Sequence, residues 1–190
     1  MTRLGLWRPE SAEDRLDRLE SLAEIRQLPY RYALAIDSRD ITALADLFVP
    51  DVRVGKDQHG REALKEWFGN LLTGPRTSVH LVGNHIIDFD AKDEARGIVY
   101  CRDELERPER GEWEIGVLQY WDTYRRVDGE WCIERRKIHR WYITDALTRP
   151  AHGLGVGTDG LATSQLPEAF PTWHEYWSQH PARGGQPAAS

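Results

Sequence analysis

Between Thr77 and Ile143 the sequence carries four strand-length patterns in succession, and this run limits the possible folds more than any other feature. β-Branched and apolar residues alternate with polar ones over Thr77 to Asp90, Arg96 to Arg107, Glu112 to Val127 and Glu130 to Ile143. The links are short: AKDEA, PERGE and the dipeptide Asp128-Gly129, a strong hairpin signal. Links of this length join antiparallel neighbours. Gly83, Gly97 and Gly116 interrupt the strands, where glycine marks a bulge or a sharp bend.

The chain before this run is helical in pattern. Glu10 to about Asp37 reads as one long helix with Ser11 as N-cap and Asp14 in an acidic first turn. Leu22, Ile25, Leu28, Tyr32 and Ile36 line one face, and Pro29 is expected to kink or divide the helix. SRDITALADLF is a second, short helix, DVRV a short strand, and Gly60 to Thr73 a third helix with Leu64, Trp67, Phe68 and Leu71 at core spacing. Three helices followed by long antiparallel strands define an α+β domain over residues 1–143: a cone-shaped, bent antiparallel sheet wrapped around a pocket and closed by the helices. Residues 144–190, with GLGVGTDG and WHEYW, read as an irregular extension anchored by Trp173, Tyr176 and Trp177, its end disordered.

Composition excludes several classes. With 25 basic against 31 acidic residues and no basic stripe, the chain has no nucleic-acid footprint. No stretch approaches a membrane span, and no signal-like apolar run opens the sequence, so the expected location is the cytoplasm. Cys101 and Cys132 lack a CxxC spacing and fit buried thiols. There is no phosphate-binding loop and no nucleophile elbow, and GLGVGTDG is a weak match to a dinucleotide loop. The seven histidines form no metal-ligand cluster, so neither a metal nor a cofactor is expected. What remains is acid–base chemistry by side chains, or binding. Eight tryptophans and seven tyrosines can build a core or wall a pocket for a flat ligand.

Strand alternation places His80, Val82, Asn84, Ile86 and Asp88 on one face of the first long strand, and His85 on the other. On the strand alone, His80 is more often a satisfied core histidine than a catalyst. Other candidates are Tyr30, Tyr32 and Asp37 on the first helix, Asp103 on the second strand, Tyr120 on the third, and Arg136 and Tyr142 on the last. Each also has a bland reading: Asp37 could cap the next helix, Asp103 could be a surface charge, and Arg136 lies in a charge run. Arg136, Ile138, Arg140 and Tyr142 would share one face of a regular strand.

In order, the chain presents a helix with the pattern IxxLxxxYxxAID, a short helix, a GREAL-type helix, the strand TSVHLVGNHIIDFD and a YxDTYRRVDGEWxIxxR-like hairpin. This order, from about Leu16 to about Tyr142, resembles the SnoaL-like branch of the nuclear transport factor 2-like superfamily. The resemblance implies the same α+β cone and, in members such as scytalone dehydratase, hexachlorocyclohexane dehydrochlorinase and bile-acid dehydratase, a cofactor-independent lyase using an Asp–His dyad. It implies Asp37 and His80 as that dyad, Arg136 as a stabiliser of negative charge, Tyr32 as substrate orienter or proton donor, and Asp103 as a further acid. Tyr30 competes with Tyr32, because regular helix geometry pairs Tyr30 with Asp37. Asn84, Tyr30, Asp103, Tyr120 and Tyr142 are the expected substrate contacts.

The function so implied is elimination of water or formaldehyde from a phenolic or aromatic alcohol, as in dehydratases or lignin-derived diarylpropane lyases. A polyketide cyclase or isomerase would use the same base. The superfamily also contains non-catalytic members, such as dioxygenase small subunits, and its members often form dimers or trimers through the outer sheet face. The expected partners are therefore a small aromatic substrate and a second or third copy of the chain.

Overall fold

The computed structural model describes residues 7–147, so GLGVGTDG, WHEYW and the expected disordered end lie outside the described residues. The element order is α1 (Ala12–Ser38), α2 (Ile41–Asp46), β1 (Arg53–Val54), β2 (Gln58–His59), α3 (Arg61–Leu71), β3 (Ser78–Ala91), β4 (Glu94–Arg107), β5 (Glu112–Val127) and β6 (Glu130–Asp145). The four long strands form one antiparallel sheet in the order β3-β4-β5-β6, and β1 pairs with β2 in a small ribbon. The fold is α+β, with the helices before a curved, unclosed sheet. Strand β6 continues to Asp145, so the sheet runs past the domain edge at Ile143 that the sequence suggests.

Helix α1 begins where Ser11 Oγ accepts the Asp14 N–H at 3.0 Å. It runs undivided through Pro29 to Ser38, and Arg39 ends it in the left-handed region at φ 61°. Ile25, Leu28, Tyr32, Ala35 and Ile36 form its buried stripe. The helix touches both edge strands of the sheet, β3 and β6. A single helix can do this only if the sheet curls around it. The link after α2 closes the edge of β6: Val49 N–H donates to Ile133 O at 3.0 Å, and Ile133 N–H donates to Leu47 O at 2.8 Å. In α3, Leu64 and Phe68 are buried, but Trp67 and Leu71 are 37% and 38% exposed and stay outside the core. An eleven-residue helix at the rim offers the core a narrower stripe than its apolar pattern suggests.

The bends are bulges. Pairing Val82↔Cys101 is followed by His85↔Val99, so β3 carries one extra residue at Gly83-Asn84. Strand β6 carries two more, at Glu134 and Trp141, since Tyr124 pairs with Ile133 but Thr123 with Arg135, and Leu118 with Arg140 but Val117 with Tyr142. Gly83 lies at the first bulge. Gly97 and Gly116 serve another purpose: each leaves room for a side chain on the inner face. The β5–β6 hairpin turns through Asp128 and Gly129, both at positive φ (52° and 88°), as a two-residue turn of this hand requires.

Candidate active site

The last turn of α1 lies against the start of β3, and this contact builds the first cluster. Asp37 Oδ1 meets His80 Nδ1 at 2.7 Å, and Asp37 Oδ2 accepts the His80 backbone N–H at 2.8 Å. Ser78 Oγ donates to Asp37 Oδ1 at 2.9 Å. Arg39 then ties the helix end to the strand by donating to Ile36 O at 2.7 Å, to Ser78 Oγ at 2.7 Å and to Pro75 O at 2.9 Å. Asp37 is thus committed to the strand, and the cap of α2 is Asp40, whose Oδ1 accepts from Ala43 N–H at 2.9 Å. A carboxylate cannot donate, so His80 carries its proton on Nδ1 and leaves Nε2 as the free, basic nitrogen. Burial pushes the Asp37 carboxyl up, but the His80 ring, the His80 backbone N–H and Ser78 together hold it below the usual aspartate value of 3.8. The side chains of His80 and Asp37 are 8% and 25% exposed.

A second cluster lies further along the inner face. Arg136 donates to Asp122 through Nε (2.9 Å to Oδ1) and Nη2 (2.6 Å to Oδ2), and both side chains are essentially buried. The guanidinium carbon lies 4.1 Å and 4.0 Å from the ring centroids of Tyr32 and Tyr120, two rings that themselves meet edge-to-face at 5.6 Å. Burial disfavours the Arg136 charge, and the Asp122 carboxylate more than restores it, so the pKa is raised. Arg136 Nη1 is buried with no hydrogen-bond partner among the described residues. Tyr124 OH donates to Asp122 Oδ2 at 2.8 Å, and His85 Nε2 lies 3.1 Å from that hydroxyl. Tyr124 has one proton and gives it to Asp122, so His85 donates through Nε2 and its Nδ1 is a bare acceptor.

The structure divides the expected residues into two groups. Asp37 with His80, and Arg136 with Tyr32 and Tyr120, come together on the inner face. Asp103, 5% exposed, pairs with His80 across β3 and β4 and turns inward too. Tyr30 is 45% exposed, on the far side of α1 from Tyr32, so it does not join the site. Asn84 is exposed because the bulge at Gly83-Asn84 takes it off the His80 face. The same bulge corrects the expectation for His85. Its partner Val99 lies four residues from Asp103 on a strand of unbroken register with β5, so His85 and His80 share a face. Tyr142 pairs with Val117, the neighbour of core residue Leu118, so the Trp141 bulge puts it on the opposite face from Arg136 and Arg140.

Sequence reasoning missed Ser78, Arg39, Asp122 and the inward turn of His85. The only signal for Asp122 was an acidic residue at even spacing from the aromatic residues Tyr120 and Tyr124 on the same strand.

Burial lifts the Cys101 thiol to about 12, so it supplies no thiolate nucleophile near neutral pH. Among the described residues no group of three His, Cys, Asp or Glu side chains is placed to hold a metal ion. No helix among them is long and apolar enough to cross a membrane. A groove of about 1090 Å³ runs between β6, α3 and the β1–β2 ribbon, and Tyr32, Phe48, Phe68, Arg136 and Ile138 are among its walls. It reaches the second cluster but not Asp37 or His80.

The sequence model of the SnoaL-like domain matches residues 17–137, and the chain belongs to that family, within the nuclear transport factor 2-like superfamily. Solved structures agree. A candidate scytalone dehydratase from Novosphingobium aromaticivorans DSM 12444 is 26% identical, with 76% of this chain and 99% of that chain covered and a TM-score of 0.62. The hexachlorocyclohexane dehydrochlorinase LinA-type3 from Novosphingobium barchaimii LL02 is 23% identical over 74% of this chain and 96% of that one, with a TM-score of 0.62, a likeness in fold. Rv3472 from Mycobacterium tuberculosis, of unknown function, is 26% identical over 68% of this chain and 76% of that one, with a TM-score of 0.57. None of the curated proteins compared with the chain matches it.

Proposed function

We propose that the protein is a cofactor-independent lyase that acts on a phenolic or aromatic alcohol by acid–base catalysis. Family membership and the likeness to a candidate dehydratase support a lyase- or isomerase-type enzyme. The observation that carries the finer reading is the 2.7 Å contact between Asp37 and His80, which fixes the imidazole tautomer and frees Nε2 as a base.

In this reading His80 Nε2 accepts the proton of a para-phenol or of an adjacent C–H bond. Electrons from the phenol O–H bond pass through the ring and expel the benzylic hydroxyl, which takes the proton back from the His80 imidazolium and leaves as water, giving a quinone methide and a neutral His80. Loss of the proton from a neighbouring hydroxymethyl O–H then breaks the C–C bond. Formaldehyde leaves, the electron pair of the broken bond forms the new alkene and a phenolate, and the proton taken from the hydroxymethyl group returns to that oxygen to restore the phenol. Without a hydroxymethyl group the reaction ends at dehydration. Asp37 stabilises the imidazolium formed in each proton transfer. Arg136 Nη1 is the donor offered to developing oxygen charge, and Tyr32 and Tyr120 form the aromatic wall beside it. Tyr32 and Asp37 are five residues apart on α1, about 7.5 Å of helix rise, a span suited to an aromatic ring with its first side-chain atoms.

The test is incubation with a panel of phenolic alcohols, including a 1,3-diol, with mass spectrometry of the products. Products lighter by water, or by water and formaldehyde, support the lyase. A product of unchanged mass supports an isomerase or cyclase using the same base, and no product from any compound supports a non-catalytic assembly role.

We also infer a cytoplasmic homodimer or homotrimer. Leu81, Ile86 and Tyr100, at 56%, 56% and 36% exposure, form an apolar stripe on the outer face of β3 and β4. Light scattering coupled to gel filtration checks this: a monomeric mass would overturn it.

A further inference from the structure

Asp103 is a buried carboxylate that receives no hydrogen bond among the described residues. Its side chain is 7% exposed, Oδ1 is sealed from solvent without a partner, and its nearest cation, Arg140 Nη1, stands 4.0 Å from Oδ2, beyond hydrogen-bond range. Arg140 Nη1 is itself buried without a hydrogen-bond partner. A stranded buried acceptor beside a stranded buried donor is costly unless a further group satisfies both.

The fold makes a place for this pair. Asp103 lies directly across from Gly116 on β5, and a Cβ at Gly116 would overlap Asp103 Oδ1. On its other side Asp103 is paired with His80, which puts their Cβ atoms about 5 Å apart on the inner face. Arg140 comes from β6 opposite Leu118, two residues along from Gly116 and on the same inner face. His80 on β3, Asp103 on β4 and Arg140 on β6 therefore lie in one transverse band of the inner face, and Gly116 on the intervening β5 leaves the room that the Asp103 carboxylate occupies.

We infer that Asp103 and Arg140 form a subsite that recognises the hydroxyl of the substrate's hydroxymethyl group, placed beside the atom that His80 deprotonates. A hydroxyl meets both requirements at once: its O–H donates to Asp103 and its lone pair accepts from Arg140. A carboxylate would be repelled by Asp103. A carbonyl or a carbon–halogen group has no proton to give and would leave Asp103 unpaired. The subsite thus selects alcohols over halides or ketones of the same shape, because an unpaired buried partner is a strong basis for rejection. It names the substrate class of the dyad's own site and rests on the lyase reading for the chemistry that comes after binding.

The test uses His80→Ala, so that binding is measured without turnover. Calorimetry would compare 1,2-bis(4-hydroxyphenyl)propane-1,3-diol with its analogues in which the hydroxymethyl group is replaced by methyl or by chloromethyl. The expected result is binding of the diol about tenfold tighter than either analogue. Adding Asp103→Asn, and separately Arg140→Gln, brings the ratio close to one while the thermal midpoint of each variant confirms folding. A ratio near one in His80→Ala, a ratio that both added variants leave intact, or no binding of any of the three compounds overturns the subsite. Mass spectrometry of the same mixtures separates the two readings: turnover of the diol by His80→Ala refutes the dyad and leaves the binding ratio to judge Asp103 and Arg140.

Discussion

Asp37 holds His80 at two points, the ring through Oδ1 and the backbone N–H through Oδ2, at 2.7 Å and 2.8 Å. One carboxylate therefore fixes both the imidazole and the strand that carries it, and neither can turn without the other. This joint hold makes the dyad a rigid unit, and its consequences can be measured.

Ser78 and Arg39 extend the hold, and removing Ser78 tests it. In Ser78→Ala, Asp37 loses one donor, and Arg39 loses one of its acceptors. A stability loss of about 1 kcal/mol by urea unfolding is expected. If the dyad is catalytic, kcat falls more than KM changes, because Ser78 acts through Asp37.

Acid should weaken the fold partly through Asp37. Its carboxyl titrates lower in the folded chain than its ordinary 3.8, so its contribution to stability is present above that value and is lost as pH falls through the lower folded value. Thermal midpoints measured from pH 5 downward should fall less steeply in Asp37→Asn than in the parent protein.

His85 acts over a higher range. Burial drops its pKa from 6.5 to about 4, with Asp122 opposing and Arg136 and Arg26 assisting. The unfolded chain therefore binds a proton that the folded chain refuses, and stability declines as pH falls from about 6.5 to about 4. His85→Gln should flatten this part of the stability profile, and NMR of the ring should show the Nε2–H tautomer at neutral pH.

The Asp122–Arg136 pair is expected to be the most sensitive point of the fold. Asp122→Ala leaves a buried guanidinium packed against two tyrosine rings with no counter-charge, and a loss of about 3–5 kcal/mol is predicted by chemical denaturation. Gly97→Ala is a smaller insult of a different kind. Its Cβ would lie 2.9 Å from both His85 Nε2 and Ile86 O and 3.0 Å from the Tyr124 ring, and overpacking there should cost about 1–3 kcal/mol.

The helix and strand order was legible because each segment repeats one period long enough to be read, and the hairpin at Asp128-Gly129 because its backbone admits few residues. Asp37 and His80 could be paired only through the family pattern, since nothing local says that the end of α1 meets the start of β3. The failures on the strands share one cause. Alternation assumes an uninterrupted strand, and a bulge shifts every later side chain by one position. The extra residue at Gly83-Asn84 turns His85 inward and Asn84 outward, and the one at Trp141 turns Tyr142 away from Arg136. Helical spacing alone pairs Tyr30 with Asp37, but the buried stripe of α1 runs through Leu28, Tyr32, Ala35 and Ile36. The link between Arg136 and Asp122 was invisible because it depends on the β5–β6 register.

The most direct test of the lyase account is turnover of a phenolic 1,3-diol by the parent protein, His80→Ala and Asp37→Asn, all shown to be folded. The account predicts release of water or formaldehyde by the parent and a drop in kcat of about 10²–10⁴-fold in His80→Ala, with a clear loss in Asp37→Asn. Undiminished turnover in both variants would contradict it.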